Sequence, residues 1–306
     1  MNWWHPDNFA KKKQNLLKRA EIIKAVRAWF DEQGFIEVQT PALQKMGAPD
    51  THIKPFQTEG YELHSSPEIA MKKLLVAGIE QIYQICPVYR KGDHTKLHAQ
   101  EFTMLEWYRT GVDYKAMMND CENLIQSLGI FKNQTFEHLS VEEAFKKYAN
   151  IDIFGDLKAQ AIDADIRTID SDTFEDIFHA IMAEKIEPNL GNDVPTILYD
   201  YPAPLASLAK KRGEVAERFE LYINGIEIAN AFTELTDPIE QKERLIEDLK
   251  EKETLYSIQS PLDEDFIAAL KHGMPESSGC ALGLDRLIII ACTADAIDEV
   301  LWTEKP

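Results

Sequence analysis

The chain is poor in cysteine, with Cys86, Cys121, Cys280 and Cys292 in 306 residues. None shows CxxC spacing and all sit in apolar stretches, which points to reduced core thiols and suits a cytosolic protein. No run of about 18 apolar residues exists, so no membrane span is expected. The start, MNWWHPDNFAKKKQNLLKRAE, lacks the apolar core of a signal peptide. Neither a Walker nor a Rossmann glycine pattern is present. Positive charge is scarce, with 33 Lys and Arg against 52 Asp and Glu, a net of −19. Such a chain repels phosphate backbones on average, which argues against an extended nucleic-acid surface but allows a local basic pocket for a nucleotide. The one clear cationic cluster, Lys11, Lys12, Lys13, Lys18 and Arg19, is expected to be a solvated helix start.

What is present is enough apolar residue for a full core, 44% of the chain. Leu16, Leu17, Ala20, Ile23, Val26, Trp29 and Phe30 follow a helical period over 13–33, closed by Gly34. FIEVQTP then reads as a short strand ended by Pro41. SSPEIAMKKLLVAG reads as a helix capped by Ser66, with Pro67 first and Gly78 as terminator. IYQICPVYR and HAQEFTMLEWYR read as strands, the first pushed to an edge or bulge by Pro87. Helices are expected near 114–128, 140–148 (a Ser140–Glu143 capping box), 172–186, after Asp237-Pro238, and near 263–272. PTILYDYP reads as a strand, and FELYINGIEIANAF as a hairpin about Asn224-Gly225. GCALGLDRLIIIACTA reads as a glycine-broken strand entering a helix. Hairpin-type spacing points to an α+β fold, an antiparallel β-sheet flanked by helices. No linker divides residues 1–306, which are read as a single domain with a candidate insertion at 150–195.

Several carboxylates and arginines stand where a bland core would not put them. The Asn-Gly turn pairs Tyr222 with Glu227, so Glu220 and Glu227 share a face as diagonal neighbours, about 6–8 Å apart at Cβ. Two such carboxylates repel unless a cation lies between them, and Mg²⁺ held partly by phosphates fits. The alternative is a solvent-facing acidic strand, which the flanking Ile, Phe and Ala oppose. Alternation in the next strand puts Phe102, Met104, Glu106 and Tyr108 on one face. Glu106 thus interrupts an apolar, aromatic wall. A lone buried carboxylate costs several kcal/mol unless paired, and its partner is either an internal Lys or Arg or a ligand ammonium. Glu68, in a first helical turn, is explained by the helix dipole alone. Arg90 ends an apolar strand and Arg286 follows Gly283-Leu284-Asp285; each is a phosphate fork or, for Arg286, an ion pair with Asp285 or another acid.

Taken together, the helix ending in GFIEVQTP, the run VYR…HAQEFTMLEWYR and GLDRL resemble, in order, the three motifs of the class II aminoacyl-tRNA synthetases. SSPE, EFTMLEWYR and FELYINGIEIANAFTEL are closest to the lysine branch. The first motif begins within the first helix, which leaves no room for the anticodon-binding domain of lysyl-tRNA synthetases. A stand-alone core with this wording is similar to the elongation factor P–(R)-β-lysine ligases. Ala281, where the lysyl enzymes tend to have glycine, agrees with an altered substrate shape, a difference worth about 1–3 kcal/mol.

The resemblance implies an ATP-dependent, AMP-forming ligase of the cytoplasm. It implies a homodimer built by the first motif, with (R)-β-lysine and elongation factor P as partners and without tRNA. Ser66, Pro67, Glu68, Glu106, Tyr108, Glu234 and Ala281 would form the amino-acid pocket, with Glu234 on the distal ammonium. Arg90 would hold the α-phosphate and Arg286 the γ-phosphate of ATP, with Lys91, Gly92, Ala99, Glu227, Ile228 and Gly283 also at the nucleotide. Glu220 and Glu227 would bind Mg²⁺. The chain departs from the pattern at Gly92, where a nearby glutamate usually reads adenine and Asp93 or the backbone would substitute. It departs again at Ala99, where asparagine is common, and at Ala231, where glycine is common. Gly92 and Ala99 suggest another reading, a catalytically silent module that binds a partner or senses an amino acid; a third is a free-standing enzyme that activates lysine itself. Lys91, Lys96 and Lys210-Lys211-Arg212 are a candidate docking rim for the protein substrate.

Overall fold

The computed structural model describes residues 2–92 and 94–305. Asp93, named above as a stand-in reader of adenine, lies outside the described residues. Two sheets are built from twelve strands: β1 (Ile36–Glu37), β2 (Leu43–Gln44), β3 (Phe56–Thr58), β4 (Tyr61–Leu63), β5 (Gln81–Tyr89), β6 (Glu101–Thr110), β7 (Glu137–Ser140), β8 (Thr196–Pro202), β9 (Lys211–Arg212), β10 (Val215–Ile223), β11 (Ile226–Thr233) and β12 (Ser277–Gly283). The larger sheet runs β1-β5-β6-β12-β11-β10-β8-β7, with β9 on β10; β2, β4 and β3 form a small separate sheet. Its centre, β5 to β8, is antiparallel throughout, and the outer pairs β1·β5 and β7·β8 are parallel.

Ten α-helices surround it: α1 (Pro6–Phe9), α2 (Lys13–Glu32), α3 (Glu68–Val76), α4 (Tyr114–Ser127), α5 (Val141–Ala149), α6 (Leu157–Asp163), α7 (Phe174–Ile181), α8 (Pro238–Tyr256), α9 (Glu264–Gly273) and α10 (Leu284–Cys292). On one face, Ile22, Val26 and Phe30 of α2, Met117 and Leu124 of α4 and Leu287 and Ile288 of α10 pack on Leu105, Trp107, Leu221 and Leu282. Leu105 and Trp107 lie on the face of β6 opposite Glu106 and Tyr108. Pro87 is accommodated because β1 covers only Ile82 and Tyr83, so at Pro87 β5 pairs through β6 alone on its ladder.

The basic start is a solvated helix start only in part: Lys11, Lys13 and Lys18 are exposed, but Arg19 is not. Arg19 is buried and ion-paired with the buried Asp285, and it donates to Thr103 Oγ1 (2.8 Å). Lys12 reaches the carbonyls of Asp298 and Leu301, and Lys18 that of Ala291. These cations clamp α2 to the chain end, a long-range pairing that local charge counting misses. Asp285 is thereby taken, so it is not the partner of Arg286.

The stretch 150–195 carries regular structure. Phe145, Ile153, Ile177, Phe178 and Ile181 form a second apolar cluster that meets the sheet at Leu198, Tyr201 and Tyr222. The Ser140–Glu143 capping box is present. The helix expected over 172–186 is α7 followed by a π-turn, Met182–Ile186.

Candidate active site

On the opposite face of the sheet, the register sets side chains in rows. Across β5, β6, β12, β11 and β10 the first row is Gln84, Glu106, Ala281, Asn230 and Glu220. The next is Ile82, Tyr108, Gly279, Phe232 and Arg218. Strand β12 thus presents glycine or alanine between two walls of larger residues. The result is a cleft whose cavity is about 240 Å³, lined among others by Ser66, Glu68, Arg90, Ala99, Glu106, Tyr108, Glu227, Ile228, Gly279, Ala281, Gly283 and Arg286. Gly279 is where side-chain bulk is impossible. A Cβ there would lie 2.2–2.4 Å from the Tyr108 ring and 2.6 Å from Glu234 Oε1.

Glu106 is fully buried. Ser66 Oγ donates to its Oε1 (2.6 Å) and Tyr108 Oη to its Oε2 (2.9 Å). Burial, then the field of Glu68, pushes its pKa up to about 7, with Ser66, Tyr108 and Arg90 acting against them. Among the described residues no Lys or Arg is ion-paired with it, so the internal-cation reading of Glu106 has no support. Pro67, not Ser66, is the N-cap of α3 and the helix starts at Glu68, while Ser66 Oγ accepts from the Glu68 N–H (3.0 Å) one residue outside the cap. Pro67 is buried under that turn and does not line the cavity. Glu68 and the buried Glu234 are both ion-paired with Lys72. Burial dominates in raising the Glu234 pKa, against the pull of Lys72.

At the other end, Arg90 lies over the Phe102 ring (5.1 Å). Arg286 donates to the Glu227 carbonyl (2.7 Å), lies 3.5 Å from its carboxylate, and donates to His98 Nε2. That donation makes Nε2 the acceptor, so Nδ1 carries the proton and faces Thr95 Oγ1 at 2.6 Å. Gly92 has φ +94 and Lys91 is exposed; neither lines the cavity.

The hairpin is less regular than an ideal two-residue turn. Ile223↔Ile226 and Tyr222↔Glu227 pair as expected, but a bulge at Ile228 then sets Glu220 opposite Asn230. Glu220 accepts from Tyr201 and Tyr222 on Oε2 (both 2.6 Å) and from Arg218 (2.6 Å) and Asn230 (3.3 Å) on Oε1. Its acceptor positions are thus filled. Glu227 is pushed up in pKa by burial and then by Glu220. A carboxylate that resists ionising beside another one is what a hard cation would relieve, so Glu227 fits a divalent metal. Glu220 would have to exchange a hydrogen bond to ligate directly. Among the described residues no group of three His, Cys, Asp or Glu could hold a metal alone, so other donors are needed.

Lys72, Asn230, Arg218, His98 and Asp248 were not picked out from the sequence. Lys72 sits in a helical run that reads as amphipathic packing. Asn230 was out of reach, because a regular hairpin would set Glu220 opposite Ala229 and only the bulge at Ile228 brings Asn230 onto the Glu220 face. Asp248, on the cavity wall, is pushed up to about 7 by burial and then by Asp50 and Glu251. Of the suggested docking cations, Lys210 pairs with Glu276, Lys211 with Glu240, and Arg212 with Asp200 and Glu217.

A sheet of this topology, with a cleft holding arginines at one end and carboxylates at the other, matches the family model for tRNA synthetases class II (D, K and N) over residues 8–302. The chain belongs to that class II family. Over 307 aligned residues and 94% of each chain, it is 40% identical to proteins named Elongation factor P--(R)-beta-lysine ligase from Edwardsiella ictaluri and Pectobacterium atrosepticum. It is 39% identical, with the same coverage, to the one from Sodalis glossinidius. Within the family it belongs with these ligases.

Proposed function

We propose that this chain is a ligase that activates (R)-β-lysine with ATP and transfers it to a lysine side chain of elongation factor P. The observation that carries the reading is one cleft with Glu68 and Glu106 at one end and Arg90 and Arg286 at the other, with Glu234 against its floor at Gly279. In the first step a carboxylate oxygen of the amino acid attacks the α-phosphorus, and the bond to the bridging oxygen of pyrophosphate breaks. Such a step needs alignment and charge neutralisation more than proton transfer. Arg90 would hold the α-phosphate and Arg286 the γ-phosphate, the latter pre-aimed by His98 and the Glu227 carbonyl. Ala99, Ile228 and Gly283 line the nucleotide end, where backbone can approach closely. Mg²⁺ at Glu227, with Glu220 behind it, would supply further neutralisation of phosphate charge.

Glu106, fixed by Ser66 and Tyr108, would take one ammonium of the diamino acid, and Glu234 the distal one. Ala281 would shape the floor between Glu106 and Asn230. In the second step the acceptor amine attacks the acyl carbon, AMP leaves, and the amine loses a proton. Exposed apolar Leu17, Ile36 and Leu43 lie on or beside the first motif and support a homodimer interface there. The acidic balance supports action without tRNA, and the free thiols support a cytoplasmic location. No described helix is long and apolar enough to cross a membrane.

ATP–pyrophosphate exchange with (R)-β-lysine, with L-lysine and with no amino acid tests the first step. Fastest exchange is expected with (R)-β-lysine. Preference for L-lysine supports the lysine-activating reading instead, and no exchange with either supports a silent module. Incubation with elongation factor P and ATP should add one β-lysyl mass to it.

A further inference from the structure

The buried cation at the amino-acid end is unassigned. Lys72, one turn after Glu68 on α3, has 1% of its side chain exposed and sits between two carboxylates. Its ammonium meets Glu68 Oε1 and Glu234 Oε2, the latter at 2.5 Å, and lies 5.2 Å from the Phe232 ring. A lysine in that position is unlike a surface pair. Desolvating an ammonium costs several kcal/mol, so it stays only where fixed negative charge compensates it.

The geometry points to Lys72 as the positioning residue of the amino-acid pocket: it ties one oxygen each of Glu68 and Glu234 and leaves Glu234 Oε1 turned to the substrate. This rests on the function proposed above. Glu234 Oε1 has no hydrogen-bond donor and lies against Gly279, the backbone floor of the cleft. An acceptor with nothing to accept, fully buried and adjacent to the cleft, is matched by an incoming ammonium. The charges agree. Glu68, Glu106 and Glu234 face one another and Lys72 offsets one of them, so once an entering substrate has driven off the protons that burial retains, two negative charges meet its two ammonium groups. Without Lys72, Glu234 would hold its proton more tightly, and an entering ammonium would have to displace it. The groups facing this cluster are Glu68 and Lys72 from α3, Phe232 and Glu234 from β11 and its end, Glu106 and Tyr108 from β6, and Gly279 from β12.

Lys72→Met keeps the length of the side chain and removes its charge. In ATP–pyrophosphate exchange, KM for (R)-β-lysine should rise about tenfold or more at pH 7 while kcat stays within about threefold. The midpoint of the KM–pH profile should move to higher pH, because Glu234 then ionises without help. Glu68→Gln removes a repelling neighbour of Glu234, so its midpoint should move to lower pH. Opposite shifts in the two variants support the role. Unmoved midpoints, or shifts of the same sign, overturn it and leave Lys72 as packing. If Lys72→Met does not fold, as judged by circular dichroism, the Glu68→Gln midpoint decides alone. Absence of exchange with any diamino acid in the unaltered protein removes the proposed function itself, and the positioning role goes with it.

Discussion

Glu106 shows what one residue can determine. A carboxyl group pushed up to about 7 by burial holds a proton for part of the time at neutral pH. A bound ammonium favours the ionised form and expels that proton. Binding of a diamino acid should therefore tighten as pH rises from about 6 to about 8 and be accompanied by proton release, read by calorimetry in buffers of different ionisation enthalpy. In Glu106→Gln that release should shrink and affinity should fall; unchanged release would exclude Glu106 as the titrating group. At the opposite end, Arg286 uses two arms of a planar fork on different acceptors, the Glu227 carbonyl and His98. A lysine cannot reproduce that geometry. Arg286→Lys should lower kcat/KM for ATP by about 10²–10³, comparable to loss of one preorganised charge-stabilising group. Exchange assays at varied ATP check this.

Between elements, close approach and long-range pairing decide. Strand β12 carries Gly279 where Tyr108 and Glu234 cross it. Gly279→Ala should displace the Tyr108 ring or the Glu234 carboxylate and abolish amino-acid-dependent exchange, with nucleotide binding largely kept, as equilibrium dialysis with ATP would report. Helix α2 is joined to α10 by the buried Arg19–Asp285 pair. Arg19→Met leaves a buried carboxylate without its cation and should cost about 3–5 kcal/mol in urea unfolding. The helices and the central strands were readable from period, cap and turn residues, as the capping box at Ser140 and the Asn224-Gly225 turn show. The bulge at Ile228 was not, because it depends on β12 and β10 holding β11 from both sides. The burial of Arg19 was not readable either, its partner being 266 residues away.

For the whole molecule, the cleft carries an electrostatic strain that pH exposes. Glu106, Glu234 and Asp248 all have pKa values raised above those of an unfolded chain. The native state then binds more protons than the unfolded one, so these groups make stability fall as pH rises from about 4.5 to about 8. This is opposite in sign to carboxylates stabilised by ion pairs. Thermal unfolding of the ligand-free protein should follow that slope between those limits. Added (R)-β-lysine should stabilise it most at the upper end, where all three groups are ionised. A flat profile would mean that the raised pKa values are relieved by water or ions in solution.

By itself the sequence determined most of the secondary elements, the two faces of each regular stretch of the central strands and the set of acidic and guanidinium groups available to the cleft. These follow from local periodicity, in which side chains two apart share a face whatever the rest of the chain does. Only the tertiary structure decided which charges meet. The register across five strands lines Gln84, Glu106, Ala281, Asn230 and Glu220 in one row, and packing of α3 on the sheet sets Lys72 between Glu68 and Glu234. The physical reason is that the sign of a buried charge's effect depends on its nearest partner at a few ångströms, and that partner is supplied by chain segments far apart in sequence.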